Sequence, residues 1–239
     1  MPESDIAALK RAAAARALEF VQEGMKLGLG TGSTAEAFLE LLGERVRGGL
    51  TVICSASSER TALNAKDRGI PIAPLAGLAP LDLTVDGADE ADRDFNLIKG
   101  GGGALLREKI VANASNRMIV IADGSKLVER LGRFPLPVEV AEFGHGVTAE
   151  GIRRSLRECG HDGVAVALRQ SGDAAYRTDG GNVIYDCALG SIAQPKRVAD
   201  ALKSITGVVE HGLFIDLATT LIVAHTFERI EVLERARNA

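Results

Sequence analysis

Four glycine-containing segments of this sequence carry side chains that suit an anionic, hydroxyl-rich small molecule. GLGTGST (residues 28–34) supplies hydroxyls, DGADE (86–90) supplies carboxylates, and KGGGG (99–103) and DGSK (123–126) each supply a lysine. Glycines let a ligand approach the backbone closely, and the N–H groups at a helix N-terminus bind anions. The combination indicates a site that binds a phosphorylated compound and exchanges protons with its hydroxyls.

The first segment lies between a predicted strand and a predicted helix. Thr31, Gly32, Ser33 and Thr34 would present N–H groups and hydroxyls to a phosphate. The pattern is neither a GxGxxG fingerprint nor a P-loop. A tight turn with Ser33 as helix N-cap is the alternative, and we favour the phosphate site.

The second segment follows directly after a predicted strand at residues 81–85. The carboxyl ends of strands in an open α/β sheet border the ligand crevice, so Asp86 and Asp89 are placed to face substrate hydroxyls, with Gly87 and Ala88 between them. A solvated turn with a helix N-cap remains the alternative. The spacing is not that of a calcium loop.

The third segment combines Lys99 with four consecutive glycines, of which Gly100, Gly101 and Gly102 follow it directly. A cation beside bare backbone N–H groups suits an enolate-like intermediate, whereas a flexible linker would not lead straight into a helix. In that helix Glu108 is placed to reach a substrate carbon, although a carboxylate in a first turn is commonly a surface residue. Lys126 follows another predicted strand and is a second candidate phosphate ligand.

The elements that must position these residues alternate between strand and helix up to about residue 126. This rhythm predicts a parallel sheet covered on both faces. Ser58 is a predicted N-cap and Gly69 a predicted helix stop. After Pro135 and Pro137, which we interpret as a boundary, the pattern changes to a smaller α+β unit.

The predicted strands are residues 25–29, 51–54, 81–85, 118–122, 138–140, 163–168 and 182–186, and the later helices are 105–114, 150–158 and 195–204. The expected domains are 1–130 and 208–239, which form one discontinuous α/β domain, and 131–207, inserted within it.

Composition excludes several classes of protein. The chain has 239 residues and a net charge of −4, so it lacks the field that attracts nucleic acid or an anionic membrane. Its apolar runs are too short to span a bilayer, and no signal-peptide core is visible. Cys54, Cys159 and Cys187 are widely spaced, which predicts reduced thiols, and no metal-ligand spacing is present. We therefore expect a cytoplasmic protein without a metal or cofactor.

Taken in order, GLGTGSTA, SER, DGADE, KGGGGALLREKI and ADGSK resemble the ribose-5-phosphate isomerase A family, and FPLPVEV and VVEHGLF extend the match past residue 210. The resemblance covers nearly the whole chain. It implies a Rossmann-like, mostly parallel sheet with an inserted smaller α+β lid domain, in a cytoplasmic homodimer or homotetramer of the pentose phosphate pathway. It also implies interconversion of ribose 5-phosphate and ribulose 5-phosphate through a cis-enediol, without metal or nucleotide.

The resemblance further implies a role for each matched residue. Glu108 would be the base that moves the proton between C2 and C1, and Lys99 with the following glycine N–H groups would stabilise the enediolate. Asp86 would help to open the sugar ring, and Asp89 would hold hydroxyls. The phosphate end would be bound by Thr31, Gly32, Ser33, Thr34 and Lys126, with Lys10 left undecided.

Two other functions remain open from the sequence. A non-catalytic sugar-phosphate sensor would need a DNA-reading segment, and the chain has no basic helix for one. An acyl-CoA transferase would use a glutamate as nucleophile, but Lys99 and the GTGST loop fit a small sugar phosphate better. The expected partners are therefore a small-molecule substrate and further copies of the chain, with no nucleic acid and no membrane.

Overall fold

A computed structural model describes residues 3–236, and contacts divide the chain into two compact units. The first unit takes the chain up to Ala88, then Arg107–Leu127, and the chain from Asp216 onward. The second unit takes Asp89–Leu106 and Val128–Ile215. The domain boundaries at residues 131 and 207 stay a prediction.

The helices and strands are as follows. The helices are α1 (Glu3–Leu18), α2 (Ser33–Arg47), α3 (Glu59–Asp67), α4 (Leu75–Leu78), α5 (Leu105–Asn113), α6 (His145–Glu158) and α7 (Pro195–Lys203). The strands are β1 (Lys26–Leu29), β2 (Ile53–Ala56), β3 (Leu83–Gly87), β4 (Glu90–Ala91), β5 (Leu97–Ile98), β6 (Met118–Asp123), β7 (Leu136–Val140), β8 (Val166–Leu168), β9 (Gln170–Ser171), β10 (Ala174–Ala175), β11 (Val183–Cys187), β12 (Val208–His211), β13 (Leu213–Phe214), β14 (Thr220–Ala224) and β15 (Ile230–Glu234). A 3₁₀ turn covers Gly124–Lys126.

The first unit is built on a six-stranded sheet in the order β15-β14-β6-β3-β1-β2. The pairs β1/β2, β1/β3, β3/β6 and β6/β14 are parallel, and only β15 is antiparallel to its neighbour. The predicted mostly parallel α/β sheet is therefore confirmed. Because parallel strands end at the same edge, the segments that follow β1, β2, β3 and β6 emerge side by side.

Apolar residues on one face of this sheet explain why helices pack against it. Leu27, Leu29, Val85, Ile119 and Ile121 are buried in one continuous core with residues of α1 and α2. Each such side chain contributes about 1.5–3 kcal/mol when it leaves water.

The predicted start and stop of α3 are confirmed. Ser58 caps the helix by accepting a hydrogen bond from the Thr61 N–H at 3.0 Å. Gly69, at φ +74°, follows the last turn, in the left-handed conformation that glycine tolerates.

The second unit contains three antiparallel sheets. Their orders are β12-β7-β11-β8, β13-β5-β4 and β10-β9. Val138, Val140, Ile152, Leu156 and Leu202 belong to its core, which joins β7 to α6 and α7.

The interpretation of Pro135 and Pro137 as a boundary needs one correction, because Pro137 lies inside strand β7, which begins at Leu136. Pro137 stands near the strand's start, opposite Asp186, and its carbonyl accepts a hydrogen bond from the Gly212 N–H at 2.7 Å. A proline can occupy such a position because it loses only the donor side of the ladder.

No helix within residues 3–236 is both long enough and apolar enough to cross a membrane.

The three cysteines are free thiols. Burial raises the pKa of the Cys54 thiol to about 12. Burial, assisted by the negative charge of Asp186, likewise raises the pKa of Cys187 to about 12. Cys159, at the end of α6, is only partly buried. Because the thiolate is the reactive form, the three cysteines should differ sharply in reactivity.

We predict that one thiol per chain reacts quickly with iodoacetamide at pH 8, and that three react after denaturation in urea. The raised pKa values keep Cys54 and Cys187 protonated at this pH, and their burial blocks access. Mass spectrometry of the labelled peptides measures the rates, with Cys159→Ser as the control that removes the fast reaction. Rapid labelling of Cys54 or Cys187 in the folded protein would contradict the prediction.

Candidate active site

Asp86, at the end of β3, is a deeply buried carboxylate of the first unit's site, only 1% exposed. Its Oδ1 atom accepts hydrogen bonds from the Gly87 N–H at 2.7 Å and from the Thr31 N–H at 3.2 Å. A Cβ atom on Gly30 would overlap this carboxylate. The loop after β1 can approach Asp86 this closely only because residue 30 is a glycine.

A cluster of four hydroxyls fixes the same loop. Thr31 Oγ1 lies 2.9 Å from Ser57 Oγ, 2.9 Å from Ser58 Oγ and 3.0 Å from Thr61 Oγ1. Thr61 also donates to the Gly30 carbonyl at 3.0 Å. The sequence analysis did not select Ser57 or Thr61, although both lie beside the SER motif that it quoted. The cluster ties the ends of β1 and β2 together and sets the position of the Thr31 backbone.

The N-terminus of α2 lies next to this cluster. Gly32, at φ +110°, is the N-cap, and no side chain caps the first-turn N–H groups. Lys10 of α1 donates to Ser33 Oγ at 2.8 Å, which places a cation at the helix start. A Cβ on Gly87 would stand 3.5 Å from Thr34 Cβ, so the end of β3 also borders this helix start.

Lys126 lies in the 3₁₀ turn after β6. Asp123 Oδ1 accepts hydrogen bonds from the Ser125 N–H at 3.0 Å and the Ser125 hydroxyl at 2.5 Å. These bonds fix the turn, so the half-buried Lys126 leaves the same edge of the sheet as Asp86.

Glu108 lies on α5 and is only 4% exposed. Val111 stands one turn further along the same helix face, and a Cβ on Gly28 would overlap both Val111 and Thr84. Glu108 therefore lies on the face of α5 that packs over β1 and β3, one turn nearer the helix N-terminus. The neighbouring Arg107 faces elsewhere and pairs with Glu59 at 3.5 Å.

Lys99 is the buried cation of the second unit, with 2% of its surface exposed. Its N–H donates to the Gly212 carbonyl at 2.9 Å, which continues the pairing of β5 with β13. Its Nζ atom lies 5.6 Å from the centre of the Phe214 ring, within cation–π range.

The glycines after Lys99 form a turn that is fitted closely to its surroundings. Gly100 and Gly103 have φ of +107° and +78°, and the Gly103 N–H donates to the Gly100 carbonyl at 3.0 Å. The Gly101 N–H donates to Asp89 Oδ2 at 2.8 Å, and a Cβ on Gly101 would come within 2.6 Å of Asp89 Oδ1. The structure thus brings the predicted residues Asp89 and Gly101 into direct contact.

Two residues that contact this turn, Arg169 and Tyr176, were not predicted from the sequence. Arg169 donates to the carbonyls of Gly100 and Gly101, and the Tyr176 hydroxyl donates to the carbonyl of Gly102. Burial raises the pKa of Tyr176, so its phenol stays a donor. Neither residue lies in a glycine motif, so no local pattern pointed to them.

Among the side chains of residues 5–236, no three or more His, Cys, Asp and Glu residues come together as a metal-binding group.

Comparison with known proteins gives consistent results. Residues 53–227 match the family model described as ribose 5-phosphate isomerase A (phosphoriboisomerase A). A ribose-5-phosphate isomerase A of Bradyrhizobium diazoefficiens is 57% identical over 96% of each chain. A ribose 5-phosphate isomerase of Plasmodium falciparum superposes with a TM-score of 0.89 at 33% identity, covering 96% of this chain and 99% of that one. A D-ribose-5-phosphate isomerase in complex with phospho-erythronic acid superposes with a TM-score of 0.88 at 37% identity, again over 96% and 99% of the two chains.

We predict that Gly30→Ala destabilises the protein by about 1–3 kcal/mol, because the added methyl group overlaps the buried Asp86 carboxylate. Gly77→Ala is the control, since Gly77 lies exposed in α4 with no atom within 4 Å of an added Cβ. That substitution should stabilise the helix by about 0.5–1 kcal/mol. Urea denaturation of the three proteins measures both effects, and a Gly30→Ala variant as stable as the parent would refute the close approach.

Proposed function

The chain belongs to the ribose-5-phosphate isomerase A family and is an isomerase of ribose 5-phosphate, and from that premise we propose how its residues carry out the reaction. The aldose and ketose phosphates are isomers that interconvert when one proton leaves C2 and arrives at C1, while one hydroxyl proton is lost from O2 and one is gained at O1. The intermediate is a cis-enediol or its enediolate. The observation that carries the proposal is the burial of Asp86, Glu108 and Lys99, since ionisable side chains are rarely buried without a function or a partner.

The phosphate end of the substrate binds at the N-terminus of α2. The N–H groups there, the hydroxyls of Ser33 and Thr34 and the ammonium groups of Lys10 and Lys126 all suit a dianion. The hydrogen bond from Lys10 to Ser33 supports including Lys10 in this group. Thr31 contributes by positioning this loop, because its hydroxyl is occupied by the cluster with Ser57, Ser58 and Thr61 and its N–H donates to Asp86.

Glu108 is the base that takes the proton from C2 and delivers it to C1. Its place on the face of α5 above β1 and β3 supports this role, as does its burial, because bulk water is kept away from the proton transfer. A phosphate held at a fixed distance keeps C1 and C2 within reach of one carboxylate.

Lys99 and the N–H group of Gly102 stabilise the developing enediolate charge, while the Gly101 N–H donates to Asp89 and holds that carboxylate beside them. A carboxylate is a weak base towards a carbon acid, so most of the rate enhancement must come from stabilising the product of proton removal. Asp86 exchanges protons with the ring oxygen and hydroxyls, and Asp89, with Gly87 and Ala88 beside it, holds hydroxyls. The relative that binds phospho-erythronic acid supports a phosphorylated, hydroxyl-rich ligand for this site.

The remaining features of the proposal concern the setting of the enzyme. The reaction needs no metal or nucleotide, since proton transfer between adjacent carbons is completed by the side chains named above. We also propose a cytoplasmic homo-oligomer that binds neither nucleic acid nor membrane, in keeping with the net charge of −4.

We predict that Glu108→Gln lowers kcat by about 10²–10⁴-fold, because the amide keeps the size of the carboxylate but cannot accept the C2 proton. Ketose formation is assayed in the presence of EDTA, and substrate binding is measured on the same folded sample. The control is Glu158→Gln, an exposed carboxylate at the end of α6, which should leave both quantities unchanged. Near-parental turnover by Glu108→Gln would show that Glu108 is only a helix-start carboxylate.

We predict that Lys126→Ala raises KM for ribose 5-phosphate by about 10- to 100-fold, the worth of one charge-assisted bond to phosphate. The phosphate does not react, so its contact is similar in the ground and transition states and kcat should change little. Lys196→Ala removes an exposed lysine of α7 and is the matched control. A normal KM with a collapsed kcat would place Lys126 at the reacting carbons instead.

A further inference from the structure

We propose that Arg169 is a positioning residue for the enediolate site: its guanidinium holds two successive carbonyls of the glycine turn and so aims the N–H of Gly101 at Asp89 and the N–H of Gly102 at the substrate. The proposal rests on the function proposed above, in which the Gly102 N–H stabilises the enediolate and Asp89 holds the substrate hydroxyls.

The contacts of Arg169 lie on the turn itself. Its Nη1 atom donates to the Gly100 carbonyl at 2.8 Å and to the Gly101 carbonyl at 3.1 Å. Its own backbone N–H donates to the Ile184 carbonyl at 2.8 Å, which fixes the base of the side chain between β8 and β9. One guanidinium nitrogen therefore bridges two consecutive peptide groups.

Because the peptide bond is planar, holding a carbonyl also fixes the direction of the N–H group in the same peptide. In a trans peptide the C=O and the N–H of the next residue point in opposite directions. Because the Gly100 and Gly101 carbonyls face Arg169, the N–H groups of Gly101 and Gly102 face the other way. The Gly101 N–H does so, since it donates to Asp89 Oδ2 at 2.8 Å. Asp89 is the carboxylate assigned above to substrate hydroxyls, so Arg169 orients the N–H groups toward the substrate side of the turn.

The guanidinium is itself immobilised. Asp186 accepts from Nε at 2.9 Å and from Nη2 at 2.5 Å, a two-bond pairing that leaves Nη1 for the carbonyls. The side chains of Arg169 and Asp186 are only 14% and 26% exposed. The guanidinium carbon lies 5.8 Å from the centre of the Tyr176 ring, and the Tyr176 hydroxyl donates to the Gly102 carbonyl at 3.3 Å. Three successive carbonyls of the turn are thus held from one side.

The turn needs such an anchor because its own residues cannot provide one. Glycine has more backbone freedom than any other residue, and donors that stabilise a transition state must be fixed before the reaction begins. A lysine at position 169 could not replace arginine, since one ammonium lacks the planar fork that reaches the carboxylate and both carbonyls together. Asp186 also offsets the positive charge of Arg169. The main effect of Arg169 on the turn is therefore to orient its peptide groups rather than to change the electrostatic potential there.

Arg169→Lys and Asp186→Asn are the test variants, with thermal unfolding and far-UV circular dichroism as the check on folding. We expect kcat to fall about 10- to 100-fold in Arg169→Lys and less in Asp186→Asn, while KM for ribose 5-phosphate stays within about threefold. Arg177→Met is the matched control, because Arg177 also contacts a carboxylate, Glu142, and a carbonyl, that of Gly181, but away from the glycine turn. It should keep the parental kcat.

A second measurement separates positioning from a merely structural role. Phospho-erythronic acid carries a carboxylate where the enediolate carries its charge, so Arg169→Lys should bind it more weakly by about the factor lost in kcat. Affinity for inorganic phosphate should not change.

Parental kcat in Arg169→Lys, or a loss that matches only the fraction of unfolded protein, would overturn the inference. Glu108→Gln measured in parallel distinguishes the two failures, since an active Glu108→Gln overturns the proposed function, whereas an inactive one beside a fully active Arg169→Lys overturns only the role of Arg169.

Discussion

The hydrogen bonds that hold the buried carboxylate of Asp86 are the interaction on which the first unit's site depends. A carboxylate that is 1% exposed costs several kcal/mol unless donors replace its lost water. The two N–H donors, from Thr31 and Gly87, lie where the chain leaves the adjacent parallel strands β1 and β3. The register Leu29↔Val85 therefore sets the carboxylate, the loop and the start of α2 together. A slip of one residue would turn Asp86 to the other face of the sheet.

The spacing of Gly28, in β1, and Gly30, directly after β1, follows from the same constraint. Gly28 and Gly30 are two residues apart and so lie on one face of the sheet, opposite Thr84 and Asp86 on β3. A Cβ on Gly28 would overlap Val111 of α5, and a Cβ on Gly30 would overlap Asp86. The first glycine lets the helix that carries Glu108 lie close to the sheet, and the second makes room for the carboxylate. A pattern that looks like one phosphate loop thus also determines where the carboxylates stand.

Sequence reasoning succeeded where the physical signal is local. Apolar runs between glycine turns predicted the parallel strands, and the hydroxyl of Ser58 predicted a cap that the structure confirms. The short strands β4, β5 and β13 carry no periodicity of their own and form only because the chain returns to pair with them, as Phe214 does with Leu97. The contact of Arg169 with the glycine turn could not be predicted for the same reason. Arg169 and Gly101 are 68 positions apart, and only the folded chain brings them together.

The glycines and their anchors answer one physical requirement in the proposed mechanism. An added Cβ would come within 2.6 Å of Asp89 at Gly101 and within 2.2 Å of Tyr176 at Gly103, so larger residues are excluded there. At Gly100 the φ of +107° disfavours any other residue. Glycine permits these close contacts because it has no Cβ. For the same reason it lacks the steric limits that would otherwise hold the turn in one conformation. An enzyme that relies on a weak carboxylate base depends heavily on fixed donors at the developing oxyanion, because donors that must reorganise during the reaction stabilise it less. The turn cannot supply this rigidity, so other segments of the chain must supply it. The hydrogen bonds from Arg169 and Tyr176 to the carbonyls of the turn restrict its conformation. They do so without filling the space that the substrate and Asp89 need.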